Sequence, residues 1–278
     1  MQRIAMVTGA NQGLGLALVE SLCRALGPDG LVYLTARDGA RGEEAVRQLN
    51  VAGLRPQFHL LDVTSDESVG AFAQNLRDRH GGVDIVISNA AARMSKGTPP
   101  AAQVRAFIET NNHGTHRVLR ATAPLLRDGG RLLIVASSFG SLRHLDPVHH
   151  HRFDVERLSL EDIEQVMDHY VELVEEGRDV EERWPSWMNI PSKIAQVAST
   201  KILARDLREE ALRRGILINA VCPGLIDTAA SRPWFEDMSS AQSAQQAAVD
   251  VVWLATLPAS QKDPYGELVQ HRRVLPWR

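Results

Sequence analysis

Thr8-Gly9-Ala10-Asn11-Gln12-Gly13-Leu14-Gly15 follows directly on the apolar run Ile4–Val7 and leads straight into the stretch Leu14–Leu26. That stretch sets Leu14, Ala17, Leu18, Leu22 and Ala25 on one face at helical spacing, and Gly27-Pro28 stops it. The order is strand, glycine turn, helix, with glycines in the pattern G-x-x-x-G-x-G. Gly9 can take a turn conformation closed to other residues, Gly13 lets the backbone approach a pyrophosphate, and Gly15 lets the helix pack closely on a sheet. The first turn of the helix adds free N–H groups and the positive end of a dipole, which suit phosphates. A lone glycine pattern is a weak signal. Here it stands in the first strand-turn-helix unit, where a dinucleotide-binding mechanism requires it. The segment Gly9, Asn11, Gln12, Gly13, Leu14, Gly15 is therefore expected to line a dinucleotide.

Working outward, short apolar runs alternate with longer amphipathic ones along the whole chain, as in a parallel sheet covered by helices on both faces. Strands are expected at Ile4–Thr8, Leu31–Thr35, Gln57–Leu61, Asp84–Ser88, Leu132–Ala136, Ile216–Val221 and near Glu267–Gln270. The fold class is α/β, a doubly wound (Rossmann) parallel sheet of about seven strands, with ligands at the carboxyl ends of the strands. Thr64 and Glu67 have capping-box spacing before a helix carrying Val69, Phe72 and Leu76. Pro191 fits the first turn of a long helix running through Lys193, Val197 and Ile202 to about Arg214. One stretch breaks the alternation. Residues 142–184 contain a histidine cluster and then Leu158, Ile163, Val166, Tyr170, Leu173 and Val174 at roughly helical spacing among acids, which predicts a helical insertion within a single domain covering 1–278.

Composition removes several classes of function. A chain of 278 residues, 44% hydrophobic, is long enough to bury one substantial core. With 31 basic and 34 acidic residues and a net charge of −3, nothing favours nucleic acid or an anionic membrane, so a small-molecule partner is expected. Cys23 and Cys222 lie in apolar runs and read as packed thiols of a reducing compartment. No leader-like segment and no span of about 18 uncharged apolar residues is visible, so a cytoplasmic protein is expected. His144, His149, His150 and His151 lack the spacing of a zinc site, and no metal is expected.

The end of the second strand selects between dinucleotides. An acid there would take the ribose 2′-hydroxyl of NAD, whereas Thr35-Ala36-Arg37-Asp38 places a guanidinium where a 2′-phosphate can be paired, favouring NADP. Asp62 in Leu61-Asp62-Val63 stands where it can accept from an adenine amino group, and Asn89 in Ser88-Asn89-Ala90-Ala91 ends the fourth strand beside small residues. Either polar residue is alternatively a strand-end cap.

Taken with Thr110-Asn111, Ala136-Ser137-Ser138, Trp184-Pro185-Ser186, Lys193 and Cys222-Pro223-Gly224, these motifs resemble the classical short-chain dehydrogenase/reductases over essentially the full length. The monomeric carbonyl-reductase branch resembles it most. The resemblance implies that Asn111 belongs to a proton relay through a held water, that Ser138 binds the substrate carbonyl, and that Lys193 meets the nicotinamide ribose. It also implies that Pro223-Gly224 flank the nicotinamide, that Thr228 contacts its carboxamide, that segment 142–184 is the insertion that keeps this branch monomeric, and that Trp234 and Phe235 lie in a mobile substrate lid. Two positions depart from the pattern. Gln12 stands where many NADP-dependent members carry a basic residue, and Asn189, four residues before Lys193, stands where the family has its tyrosine.

That tyrosine is the proton donor of carbonyl reduction, worth about 10²–10⁴-fold, and an amide cannot supply a proton at neutral pH. Three readings remain open. Asn189, Ser138 and Lys193 can form an oxyanion hole for reduction of a conjugated enone, and plant relatives of this branch that reduce such a double bond also depart from tyrosine. Tyr170, His149, His150, His151, Ser192 or a water on Asn111 can replace the donor in carbonyl reduction. Or the chain is a redox-silent, NADP-binding scaffold or non-redox enzyme. His113 reads as structural, while Trp184, Trp187 and Met188 read equally as pocket or core.

Overall fold

A computed structural model describes residues 2–278. In chain order its elements are β1 (Ile4–Val7), α1 (Gly13–Leu26), β2 (Leu31–Ala36), α2 (Gly39–Val51), β3 (Gln57–Leu60), α3 (Asp66–His80) and β4 (Val83–Ser88). There follow α4 (Val104–Ile108), α5 (Gly114–Thr122), β5 (Leu126–Val135), α6 (Leu160–Glu175), α7 (Asn189–Asp206), α8 (Arg208–Arg214), β6 (Leu217–Val221), α9 (Ala244–Ala255), β7 (Leu268–Gln270) and β8 (Arg273–Leu275). The strands form one sheet in the order β3-β2-β1-β4-β5-β6-β7-β8, parallel except for the last pair. Chain direction across the sheet reverses between β1 and β4. That is the switch point at which the carboxyl ends of strands leave a crevice.

Successive residues of β1 serve opposite layers. Ile4 and Met6 join the core that contains α3, α5, α6 and α7, while Ala5 and Val7 join the core that contains α1, α2 and α9. Burial on both faces explains why the strands read as continuous apolar runs. Among the described residues, no helix is long and apolar enough to cross a membrane.

Several expectations need correction. The sheet has eight strands, because a two-residue turn at His271 and Arg272, with φ of 49° and 61°, folds β8 back on β7. Left-handed backbone at both positions matches a tight hairpin turn, but neither residue is the glycine or asparagine that advertises one. The cap of α3 is Ser65, whose side chain accepts from Ser68 N–H, while Thr64 is drawn into a turn with Asp62. The long helix ends at Asp206 and a separate α8 follows Leu207. Residues 142–184 hold short 3₁₀ turns and α6, which opens on a capping box between Ser159 and Asp162. Ile163, Met167, Tyr170 and Val171 of α6 enter the same apolar cluster as Ala195, Ala198 and Ile202 of α7.

Candidate active site

The glycine turn is shaped by contacts that leave no room for side chains. A Cβ on Gly15 would lie 2.5 Å from Gly9 O and 2.7 Å from Asn89 Nδ2, so only glycine lets α1 come this close to the strand ends. Gly13, with φ of 55°, faces open space instead, leaving bare backbone at the start of α1. The turn is braced by Asn89, whose amide donates to Thr8 O at 2.9 Å and Gly9 O at 3.2 Å, and by Ala10 N–H donating to Thr35 O at 2.8 Å. Beyond it lies a cavity of about 490 Å³ lined by Asn11, Gln12, Arg41, Gln48 and Arg93 among others. Arg37 is exposed at the end of β2. An open glycine cradle at a helix N-terminus with guanidinium groups beyond it fits a phosphorylated dinucleotide.

At the ends of β5 and β6 a second group of residues assembles. Ser138 follows β5, and its N–H donates to Cys222 Sγ at 3.1 Å, which fixes its backbone against the end of β6. Asn111 sits in a widened π-helical turn, Glu109–His113, between α4 and α5. Such turns are rare and collect at functional sites. Its Oδ1 accepts from Ala92 N–H at 2.7 Å and so holds the chain leaving β4. Asn112 and Ser192 exchange bonds: Asn112 Nδ2 donates to Ser192 O at 2.9 Å and Ser192 Oγ donates to Asn112 Oδ1 at 2.8 Å. This pair pins the first turn of α7. Asn189, part-buried, opens that turn, and Lys193 is one turn on, where i and i+4 share a face. Lys193 Nζ donates to Val135 O at 3.0 Å and Gln196 Oε1 at 2.7 Å, and burial pulls its ammonium down to about 8.

The short chain dehydrogenase family profile matches residues 3–146, just over half of the chain. Carbonyl reductase [NADPH] 1 of Rattus norvegicus is 35% identical over 278 residues, covering 99% of this chain and 98% of the relative. The Homo sapiens protein of the same name is 36% identical with the same coverage. The chain belongs to the short-chain dehydrogenase family. Among solved structures of this family, salutaridine reductase from Papaver somniferum superposes with a TM-score of 0.79 at 26% identity, covering 96% of this chain and 99% of that one. Menthone neomenthol reductase from Mentha piperita gives 0.78 at 26% identity, covering 97% and 99%.

Within this short-chain dehydrogenase, several of the expected residues also make local hydrogen bonds. Asp62 Oδ1 accepts from Thr64 N–H at 3.0 Å and from Thr64 Oγ1 at 2.8 Å, so that oxygen closes the strand-end turn ahead of Val63. Thr228 bonds to Ser231, and Gly224, with φ of 83°, is backed by Gln242, whose amide donates to the Pro223 carbonyl. The proposed substitute donors are mostly committed elsewhere. Tyr170 is buried, its ring 5.0 Å from Trp184, and burial pushes its phenol above the ordinary range. His149 stacks on Trp184 at 4.3 Å and bonds to Glu182 O, while His150 bonds to Leu142 O and Leu145 O. His151 is exposed, and Ser192 is buried against Asn112. His113 pairs with Asp168 on α6 at 2.9 Å.

Trp184 and Met188 belong to the core, whereas Trp187 packs against Phe139 at 5.0 Å, Trp234 at 6.2 Å and Phe235 at 6.2 Å. Phe139 follows Ser138 directly, so this aromatic group adjoins the serine and forms an apolar surface beside it. His144 extends it, 5.2 Å from Phe139, and accepts from Arg143 Nε at 3.1 Å. Burial, with the Arg143 cation, lowers its pKa and so favours the neutral imidazole. Arg93, Gln196 and Asn112 have no assignment from the sequence. Only Arg93, four residues after Asn89, had a positional signal; the other two act through contacts between α7 and the π turn.

Proposed function

We propose that this protein is an NADPH-dependent reductase of an apolar, conjugated enone, acting through an oxyanion site in which Asn189 stands in place of the tyrosine proton donor. Its full-length similarity to proteins named carbonyl reductase [NADPH] supports the cofactor and the reaction class. When bound, NADPH supplies a hydride from its nicotinamide ring. Gly13 and the α1 N-terminus would hold the pyrophosphate, Arg37 the 2′-phosphate, and Lys193 the ribose next to the nicotinamide. Pro223, Gly224 and Thr228 would border the ring, while Asp62, Val63 and Asn89 would border the adenosine.

The observation that carries the finer reading is the amide of Asn189 at the head of α7, one turn before Lys193. Hydride arriving at the β-carbon of an enone moves negative charge to the carbonyl oxygen. Ser138 Oγ–H, Asn189 Nδ2–H and the Lys193 ammonium are donors suited to that charge. The α-carbon then takes a proton from water, so enone, NADPH and one proton give saturated ketone and NADP. The aromatic wall of Phe139, Trp187, Trp234 and Phe235 supports an apolar substrate. Packing of α6 on the α7 face supports a single domain that works as a monomer.

Reduction of an enone with NADPH deuterated at C4 tests this reading. The expected product is a saturated ketone with deuterium on its β-carbon. Deuterium on a carbinol carbon would overturn it, and tight NADPH binding with no label transfer to enone or ketone would point to a redox-silent scaffold.

A further inference from the structure

The carbonyl of Asn111 and the ammonium of Lys193 face each other across the seam between α5 and α7, and one side chain joins them. Gln196 Oε1 accepts from Lys193 Nζ at 2.7 Å, and Gln196 Nε2 donates to Asn111 O at 2.7 Å and to Thr115 Oγ1 at 3.3 Å. Gln196 is 3% exposed, so the bridge is dry. The π turn supplies the acceptor. Gly114 N–H reaches back five residues to Glu109 O, and beside this step in the ladder the Asn111 carbonyl takes two side-chain donors, Thr115 Oγ1 and Gln196 Nε2.

We propose that Gln196 is the positioning residue of Lys193: its amide holds the ammonium at the cleft wall and seals its inner side, so that the lysine exchanges protons only with the cleft. A water in the same place would bond to both groups and also pass protons between them. A carboxamide has fixed donors and a fixed acceptor and passes none at neutral pH. It is also a neutral acceptor. It satisfies the ammonium without the charge that would favour protonation, which agrees with burial pulling Lys193 down to about 8. Of the other groups around the lysine, Cys222 acts in the opposite direction, and less than burial does. β5 contributes the Val135 carbonyl, and at the end of β6 Cys222 is a thiol kept protonated by burial. On α5 and its π turn, His113 and His116 bond to Asp168 and Glu164 of α6.

The inference rests on Lys193 meeting the cofactor, and its test is equilibrium binding of NADPH, followed by nicotinamide fluorescence from about pH 6 to about pH 10, a range that brackets the lysine. Affinity of the unaltered protein should fall as the pH passes about 8. Gln196→Glu brings a carboxylate to the ammonium and should move that fall up by about one to two pH units. Gln196→Met, of similar length without polar atoms, should move it down. If either variant, folded by circular dichroism, keeps the parent profile, the proposal is overturned. Lys193→Met separates the two levels of failure. It should abolish the pH-dependent fall, and if it leaves both affinity and profile unchanged, the placement of Lys193 at the cofactor is wrong and the role of Gln196 goes with it.

Discussion

Asn189→Tyr places a phenol one helical turn before Lys193, and its effect can be worked from the geometry of α7. Residues at i and i+4 on a helix have Cβ atoms about 5–6 Å apart, and side chains lean toward the N-terminus, so the new ring would point into the cleft with the ammonium behind it. The first turn of α7 is tied down by the reciprocal bonds of Asn112 and Ser192 at 2.9 and 2.8 Å, which act on the backbone and hydroxyl of Ser192 and not on residue 189. Asn189 is only part-buried, and stability should change by about 1 kcal/mol or less. Lys193 favours the phenolate and lowers the phenol's pKa toward the working range. A positioned general acid is worth about 10²–10⁴-fold, or about 3 to 5 kcal/mol of barrier. The assay is steady-state NADPH oxidation with a saturated apolar ketone, comparing the parent, Asn189→Tyr and Asn189→Phe. The tyrosine variant should gain at least about 10²-fold and the phenylalanine variant nothing. Equal rates for the two variants, with NADPH binding intact, would refute the claim that a phenolic proton donor at this position is what the site lacks.

Other consequences follow from the cofactor end and from α6. Arg37→Ala should weaken NADPH binding by about tenfold or more and leave NADH binding unchanged, as a charge-assisted bond to a 2′-phosphate requires; equal losses for both would place Arg37 elsewhere. Gly15→Ala should abolish cofactor binding and lower Tm, because its Cβ would lie 2.5 Å from Gly9 O, and a parent-like Tm would contradict that contact. His116 is buried between Glu164 on α6, at 3.0 Å, and Ser199 on α7, at 2.6 Å. Burial raises the Glu164 carboxyl, but bonds and charge from His116 and Arg120 outweigh it and hold it at about 2, while burial lowers His116. The unfolded chain therefore binds more protons than the folded one. The histidine contribution fades as pH falls below 6.5, and the glutamate contribution, complete above 4.5, is lost toward about 2. Tm followed from about pH 7 to about pH 3 should decline steeply in the parent and less so in Glu164→Gln.

What the sequence made legible was local. The glycine turn, the strand-helix alternation and Arg37 at the end of β2 depend on neighbours in the chain, and the observed elements follow them closely. β8 escaped because His271 and Arg272 adopt left-handed backbone that their side chains do not signal. The break between α7 and α8 comes at Leu207, with no proline or glycine to mark it. Ser65 rather than Thr64 caps α3 because Asp62 competes for the threonine. The site itself divides in the same way. Ser138, Asn189 and Lys193 were marked only by family resemblance, and Tyr170 and His149 have the right chemistry and the wrong surroundings, since Trp184 gathers both into packing. Gln196 was invisible for the opposite reason. Its residue type suggests nothing, and only the meeting of α7 with the π turn gives it a lysine on one side and a carbonyl on the other.

The central claim is that this short-chain dehydrogenase reduces a conjugated double bond without the family's tyrosine proton donor. It is tested most directly by the rate of NADPH oxidation with an enone and with the matching saturated ketone under the same conditions, with the products identified by mass. The enone should be consumed at least about 10²-fold faster and yield the saturated ketone. Turnover of the saturated ketone to an alcohol at a comparable rate would contradict the claim.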